Sequence, residues 1–171
     1  GGRIEGDGSV GVSGPNAAMG GLFVGGGIDV EIGTGDVLQL DSGIVNDGMI
    51  RIRDTGSGFA VLRVVGTVTL EGAGSVVFET NDDCILEGAD SESVLVVGPD
   101  QSVIAADVSR VGQSFLNAAM VNDGTLEVQG GLSLAGGTKT NNGLFRAIDG
   151  GEIEVRAADV MASRQASTWS S

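Results

Sequence analysis

The sequence predicts an all-β, single-domain parallel β-helix, a solenoid in which each coil of the chain takes about 19 residues. Three observations favour this fold. A phrase recurs as VNDGMIRI at residues 45–52, VNDGTLEV at 121–128 and TNNGLFRA at 140–147, and a regular recurrence of this kind is typical of solenoids. Short strands alternate apolar and polar residues. Glycine contributes 31 of the 171 residues and aromatic residues only 4%.

The alternation is clearest immediately after the glycines of the repeated phrase. The second and fourth residues after each glycine are apolar, and the residue between them is polar or charged, as a strand with one buried face requires. Other glycines fall close to the same spacing of about 19 residues, at Gly8, Gly27, Gly66 and Gly88. The residues after Gly27 and Gly88 do not follow the alternation of apolar and polar residues. The apolar pairs are Ile50 and Ile52, Val68 and Leu70, Leu126 and Val128, and Phe145 and Ala147.

Further short strands lie between those of the first set, and glycine, aspartate, asparagine or serine bounds each of them. The Asn-Gly and Asp-Gly pairs also favour hairpins, so an antiparallel β-sandwich is the alternative fold. Hairpins do not require one phrase at a fixed spacing, whereas the corner of a coil does. The additional strands are predicted at residues 37–40, 75–78, 93–97, 131–134 and 152–155.

In the β-helix interpretation, the repeated phrase is the corner at which each coil turns. We expect the Val or Ile before the Asn and the two alternate apolar residues after the Gly to fill the interior. The Asn should stack with its equivalents in a left-handed conformation, and the Gly should tolerate positive φ. The predicted period would divide the chain into eight or nine coils.

The predicted solenoid domain covers residues 1–155. Residues 14–27, GPNAAMGGLFVGGG, are expected to form a flexible excursion or an irregular first coil. Residues 107–119 interrupt the strand pattern and are expected to be a looped-out insertion. Residues 156–171 lack alternation and should be either a capping helix near 157–166 or a disordered tail, because the ends of a solenoid need covering.

Composition excludes several functions. The formal net charge of −14 opposes binding to nucleic acid and to anionic membranes. The chain has no His and one Cys, so the usual nucleophile-activating sets, zinc sites and disulfides are not expected. Cys84 should be a buried apolar group. No apolar run is long enough to span a membrane. Because the sequence begins at Gly1, we expect a processed chain or a piece of a longer one.

One stretch suggests catalysis or ligand binding, namely TNDDC at residues 80–84, with Asn81, Asp82 and Asp83 as the candidates. It resembles the paired-Asp segment of polygalacturonases, which are β-helical glycosidases, and the resemblance implies an acid and base pair acting on polysaccharide. The Gly-His-Gly and Arg-x-Lys segments of that family are missing. The alternative interpretation is a solvent-exposed acidic turn without a catalytic role, and we predict no catalytic residues.

Calcium is the remaining chemical option, because carboxylates and turn carbonyls are its preferred ligands. Acidic turns occur at residues 29–31, 82–83 and 90–92, but none forms an EF-hand or a calcium-binding nonapeptide. We therefore predict no metal site and no cofactor, with weak calcium binding as the alternative.

The phrases VNDGTLEV, GGLSLAGG, TNNGLFRA and GGEIEV together resemble the repeats of bacterial secreted and surface β-helix proteins, such as autotransporter passengers and haemagglutinin-like adhesins. The resemblance implies an extracellular or cell-surface location and a structural or adhesive role. Expected partners are a glycan, a surface protein and neighbouring coils of a longer chain. The alternatives are a polysaccharide-active enzyme and a calcium-stiffened extracellular module.

Overall fold

The computed structural model describes residues 2–56, 58–80, 83–107, 114–156 and 161–163. These residues form short strands joined by turns, and no helix occurs among them. In chain order the strands are β1 (Gly2–Ile4), β2 (Gly8–Val12), β3 (Ala17–Met19), β4 (Leu22–Val24), β5 (Ile28–Ile32), β6 (Val37–Leu40), β7 (Ile44–Asn46), β8 (Met49–Asp54), β9 (Phe59–Val64), β10 (Thr67–Glu71), β11 (Ser75–Thr80), β12 (Asp83–Gly88), β13 (Val94–Val97), β14 (Ser102–Asp107), β15 (Ser114–Asn117), β16 (Ala119–Asn122), β17 (Thr125–Val128), β18 (Gly131–Leu134), β19 (Lys139–Asn141), β20 (Leu144–Ala147), β21 (Glu152–Val155) and β22 (Met161–Ser163).

Every third strand joins the same sheet, so the described residues build three sheets around one axis. The first sheet has the order β1-β4-β7-β10-β13-β16-β19-β22, the second β2-β5-β8-β11-β14-β17-β20, and the third β3-β6-β9-β12-β15-β18-β21. Neighbouring strands pair in parallel, as in the pairing of β8 with β11. The predicted parallel β-helix is therefore confirmed. The antiparallel sandwich is wrong, because each circuit of the chain returns in the same direction.

The coils are longer than predicted, at about 23 residues per turn. The predicted period holds where Val121 pairs with Thr140, but the coil that leads from Val68 to its partner Leu95 is considerably longer. The predicted count of eight or nine coils is accordingly too high, since the solenoid has about six turns. The differences lie largely in the turns, because pairing between coils fixes the strands but leaves the corners free to vary in length.

The repeated phrase occupies one corner, as predicted. Gly48, Gly124 and Gly143 directly precede β8, β17 and β20, which all lie in the second sheet and run in one direction. We call this turn, between a strand of the first sheet and the next strand of the second, the first corner. Gly66 is different, because it precedes β10 in the first sheet and therefore belongs to another corner.

Small aliphatic side chains fill the interior. The alternation predicted after Gly48 is confirmed, because Ile50 and Ile52 are fully buried, and the same holds for Leu126 and Val128. Removing such side chains from water is the main source of stability in a fold that has few aromatic residues. The strands alternate because one face points to the axis and the other to solvent.

The prediction that Val45 fills the interior is wrong. Val45 points outward and is 38% exposed, whereas Asn46 is 0% exposed inside the coil. Asn122 and Asn141 are buried in the same way. The inward apolar position is one residue earlier, at Ile44. Hydropathy alone favours Val over Asn for the interior. The alternation of side chains along the strand and the hydrogen bonds of the amide place the Asn there instead.

The structure also locates the irregular segments. Residues 14–27 contain β3 and β4, so they complete the first coil and begin the second. The proposed insertion at 107–119 is shorter than expected, because β15 and the start of β16 lie within the sheets, and residues 108–113 are outside the described part. A capping helix at 157–166 is not observed, since Met161–Ser163 is a strand paired with β19. The rest of residues 157–171 is outside the described part.

Candidate binding surface at the first corner

Close contact between coils explains the glycines of the first corner. A Cβ atom on Gly48 would lie 2.4 Å from the carbonyl oxygen of Ile28 and 2.5 Å from that of Gly25. A Cβ atom on Gly124 would lie 2.3 Å from the carbonyl oxygens of both Gln101 and Gly98. Neither glycine has positive φ, so the reason predicted from turn chemistry is wrong at these positions. The glycines are needed because the turn rests directly on the backbone of the coil before it.

Buried amides hold successive corners together beneath this smooth surface. Asn122 Nδ2 donates to Asn141 Oδ1 at 2.7 Å and to the carbonyl oxygen of Leu144 at 3.2 Å. In a coil that lacks the repeated phrase, Gln101 links neighbouring corners in place of an Asn. Its Nε2 donates to the carbonyl oxygen of Glu71 at 2.9 Å. Asn46 Nδ2 donates to Gln101 Oε1 at 3.2 Å, a bond that spans two coils. These bonds link successive corners, since a buried amide nitrogen without an acceptor is costly.

A shallow groove runs along the outer surface of the first corner and the adjoining edge of the second sheet. Its volume is about 310 Å³ and it is wide open to solvent. The glycines give it a backbone floor, two carboxylates and two hydroxyls supply polar groups, and Met49 and Ile104 supply apolar area. The lining residues are Gly26, Asp29, Asp47, Gly48, Met49, Ala73, Gly74, Ser75, Ser102 and Ile104.

Ion pairs orient one wall of the groove. Arg51 Nε lies 3.1 Å from Asp29 Oδ2, and the other end of the Arg51 guanidinium pairs with Glu79. Arg53 also binds Glu79, with its Nε 2.9 Å from Oε2. This hydrogen bond, supported by the charge of Glu79, raises the pKa of Arg53. Each pair contributes little stability at the surface, but the shared carboxylate makes them a network that limits how Asp29 can move.

The arrangement suits binding to hydroxyl-rich molecules better than bond-breaking chemistry. Asp47 Oδ1 already accepts from the backbone nitrogen of Ala73 at 3.0 Å, which holds the side chain against the corner. Carboxylate oxygens accept hydrogen bonds from hydroxyls, serine hydroxyls both accept and donate them, and the Met49 and Ile104 side chains can contact the apolar face of a ring. Electrostatic catalysis is strongest in a site from which water is excluded. The groove is too open to exclude water.

The residues predicted from TNDDC lie elsewhere. Asn81 and Asp82 are outside the described residues. Asp83 begins β12 in the third sheet, is half-buried and pairs in register with Phe59. The groove lies where the second-sheet strands begin, whereas Asp83 follows the end of β11. Asp83 therefore does not contribute to the groove. Catalysis by the acidic pair stays a prediction.

Cys84 is buried, as the sequence predicts. Its thiol lies 3.1 Å from the carbonyl oxygen of Ile52. Burial raises the pKa of Cys84 to about 12, and the nearby Asp54 carboxylate acts in the same direction. The group is therefore a protonated thiol at neutral pH and not a nucleophile.

The acidic turns suggested for calcium have other partners. Asp29 pairs with Arg51, and Asp90 Oδ1 accepts from Ser93 Oγ at 2.8 Å and from the Glu92 backbone nitrogen at 3.1 Å. Across the residues with described positions, no three His, Cys, Asp or Glu side chains are grouped so that they could hold a metal ion.

The fold places the chain in the class of parallel β-solenoids, and the comparisons with known proteins do not narrow this class. The chain matches no protein-family model, no curated protein and no solved structure. The described residues also contain no helix that is long and apolar enough to cross a membrane. The bacterial surface-protein resemblance thus rests on the sequence phrases alone.

Sequence reasoning missed the groove, although part of its signal was visible. The sequence predicts a corner at Asp47 and Gly48, but most of the other residues that line the groove come from other coils, far away in the sequence. Ser75 and Ser102, for example, occupy the same register position on β11 and β14. Without the true coil lengths, these positions cannot be aligned.

Proposed function

We propose that this chain is a structural or adhesive segment of an exported β-solenoid protein, and that it contacts glycans through the groove at the first corner. The observation that carries the proposal is the groove itself, a polar, glycine-floored depression with apolar patches on a continuous parallel sheet. Its partner would be extracellular, and the solenoid would act as the rigid support.

Rigidity supports the structural half of this proposal. Every coil is hydrogen-bonded to its neighbours in three sheets, and the buried corner amides add further bonds between coils. Strand spacing is about 4.8 Å per coil, so outward groups repeat along the rod at short, regular distances. A regular row of this kind suits contact with an extended polymer more than with a compact ligand.

Charge indicates which glycans to test first. The net charge is −14, and Asp29 and Asp47 both line the groove. The nearest cations, Arg51 and Arg53, are already paired with carboxylates. An acidic protein repels anionic polymers at a distance. Neutral glycans and glycans with free amino groups are therefore the expected ligands, and sulfated or uronic-acid polymers are not.

The adhesive role is tested by applying the full chain to an array of neutral, amino-sugar and sulfated glycans. Ser102→Trp should fill the groove and abolish retention. Thr69→Trp is the matched control, because Thr69 is also half-buried and outward-facing in a central strand, but in the first sheet. Retention of neutral or amino glycans that is lost only with Ser102→Trp supports the proposal. No retention, or equal loss in both folded variants, refutes it.

The structural role is tested by removing one whole coil. Val121 pairs with Thr140, so deletion of residues 121–139 places Thr140 directly after Met120 in the register that Val121 occupied. The deletion also removes the buried Lys139 together with the carbonyl oxygens that its Nζ binds. We expect a folded protein with an unchanged β circular dichroism spectrum and a rod about 4.8 Å shorter by small-angle scattering. Global unfolding of this deletion would show that the coils do not act as repeating units.

A further inference from the structure

Two copies of the repeated phrase, at residues 121–128 and 140–147, lie in neighbouring coils and are stacked in register. The register brings Asp123 of one copy against Asn142 of the next. The third copy is not stacked on either of them, because β11 and β14 separate β8 from β17 in the second sheet. Its equivalent residue is Asp47, so Asn142 is the exception among the three. An amide therefore stands where direct stacking would otherwise bring two carboxylates together.

Hydrogen bonds hold this amide in place at the first corner. Asn142 Nδ2 donates to Asp123 Oδ1 at 2.8 Å. The backbone nitrogens of Asn142 and Gly143 both donate to the carbonyl oxygen of Asn122, at 2.8 Å and 2.9 Å. Asn142 Oδ1 is buried and has no hydrogen-bond partner. A negative charge on this side chain would therefore face Asp123 with one oxygen and leave the other buried without a donor, which is unfavourable.

The residue after Asn142 makes the amide chemically labile. Asn142 precedes Gly143, and the sequence contains no other Asn-Gly pair. Asn is a thermolabile residue, and it is most labile before Gly, because no side chain hinders attack of the Gly nitrogen on the Asn Cγ. In the closed corner this attack is opposed, since the Gly143 nitrogen is bound to Asn122 and the Asn142 amide is bound to Asp123. Opening of the corner releases both groups.

We propose that Asn142 is a modification site, which loses its amide spontaneously when the first corner opens. The Gly143 nitrogen gives its proton to solvent and bonds to the Asn142 Cγ, while the bond from Cγ to Nδ2 breaks and ammonia leaves. Water then opens the succinimide ring. Attack at Cγ gives aspartate, and attack at the main-chain carbonyl carbon gives isoaspartate. The inference is independent of glycan binding.

Neither product fits the closed corner as Asn142 does. Aspartate at this position opposes Asp123. Isoaspartate adds a methylene group to the main chain, where the corner has no room for it, because a Cβ atom on Gly143 would already lie 2.1 Å from the carbonyl oxygen of Gly124. The modification therefore weakens the attachment of the coil containing β19 and β20 to the coil before it. The corner then opens more easily than before.

The site is tested by peptide mapping with mass spectrometry on the full chain, kept at mildly alkaline pH with and without urea. We expect loss of the amide at Asn142 in urea, and a rate at least about tenfold lower in the native protein, because local opening must come first. Asn117 is the internal control, since it precedes Ala118 and should keep its amide over the same period. Equal rates with and without urea, or an intact Asn142 in urea, would overturn the proposal.

The consequence is tested with a variant that reproduces one product. Asn142→Asp should lower the thermal unfolding midpoint by about 2–4 °C at low salt, and by less at high salt, where the repulsion is screened. Adding Asp123→Asn to this variant puts an amide opposite a carboxylate again and should restore the midpoint. An Asn142→Asp variant as stable as the wild type, or one that Asp123→Asn does not restore, would overturn the proposed effect on the corner.

Discussion

Replacement of Gly48 by Ala tests whether contact between coils, and not backbone conformation, fixes the glycines of the first corner. The new Cβ would lie 2.4 Å from the carbonyl oxygen of Ile28, and real Cβ contacts rarely fall below about 3.0 Å. The coils must therefore separate locally where the backbone of the corner is hydrogen-bonded, as at Asp47 N to Val24 O. Overpacking of this kind typically costs about 1–3 kcal/mol, and we expect the upper end because both obstructing atoms belong to the backbone.

For a chain of this size, a loss of about 1 kcal/mol shifts the unfolding midpoint by about 2–4 °C, so a loss of about 3 kcal/mol lowers it by about 6–12 °C. The assay is thermal unfolding followed by circular dichroism. Gly43→Ala is the matched control five residues earlier in the same coil. Its Cβ would lie 3.6 Å from the Thr69 carbonyl oxygen, an ordinary contact, and Gly43 lacks positive φ. That variant should gain about 0.4–1 kcal/mol. Equal midpoints for Gly48→Ala and Gly43→Ala would refute the reasoning.

Three further predictions concern single side chains. Phe78→Ala removes the largest fully buried side chain of the described core and should destabilise the protein by about 3–5 kcal/mol in urea unfolding, unlike a surface substitution. Cys84 should not react with a chromogenic thiol reagent at pH 8 until urea unfolds the chain, because burial raises its pKa to about 12; rapid native labelling would contradict this. A hydrogen bond from Gln129, together with Arg146, lowers the pKa of Glu127. The ionised Glu127 therefore stabilises the fold above the ordinary Glu pKa, and this stabilisation is lost as the pH falls through the lowered pKa. Glu127→Gln should therefore show a smaller drop in midpoint on acidification than the wild type, and an identical drop would count against the assignment.

Strand positions were predictable because their signal is local. The alternation after Gly124 and Gly143 depends only on which face of a strand is buried, and the structure confirms it at Leu126 and Phe145. Coil length was less predictable. The first corner takes two residues between Asn122 and Thr125 but four between Val97 and Ser102. The extra residues change the spacing along the chain without changing the pairing in space.

The buried asparagines were missed for a different reason. A single coil offers Asn122 no obvious partner, so its amide looks better placed in solvent than the Val121 side chain does. The partner is Asn141 in the next coil, and the pairing register brings the two together. The groove depends on the same alignment of distant residues, and for that reason composition and motif analysis could not locate it.

The ion pairs show how an acidic solenoid limits its own repulsion. Several arginines on the outer faces bind a carboxylate one coil away, as Arg51 binds Asp29, Arg63 binds Glu87 and Arg146 binds Glu127. Each pair therefore lies along the rod axis and links two coils, instead of two residues of one strand. Opposite charges directly across a strand pair stabilise a sheet; Arg63 lies directly across from Glu87 and Arg146 from Glu127, whereas Arg51 lies across from Glu31 and reaches Asp29 diagonally. The wall of the groove and the contact between coils thus depend on the same Arg51 guanidinium, so its replacement should disturb both.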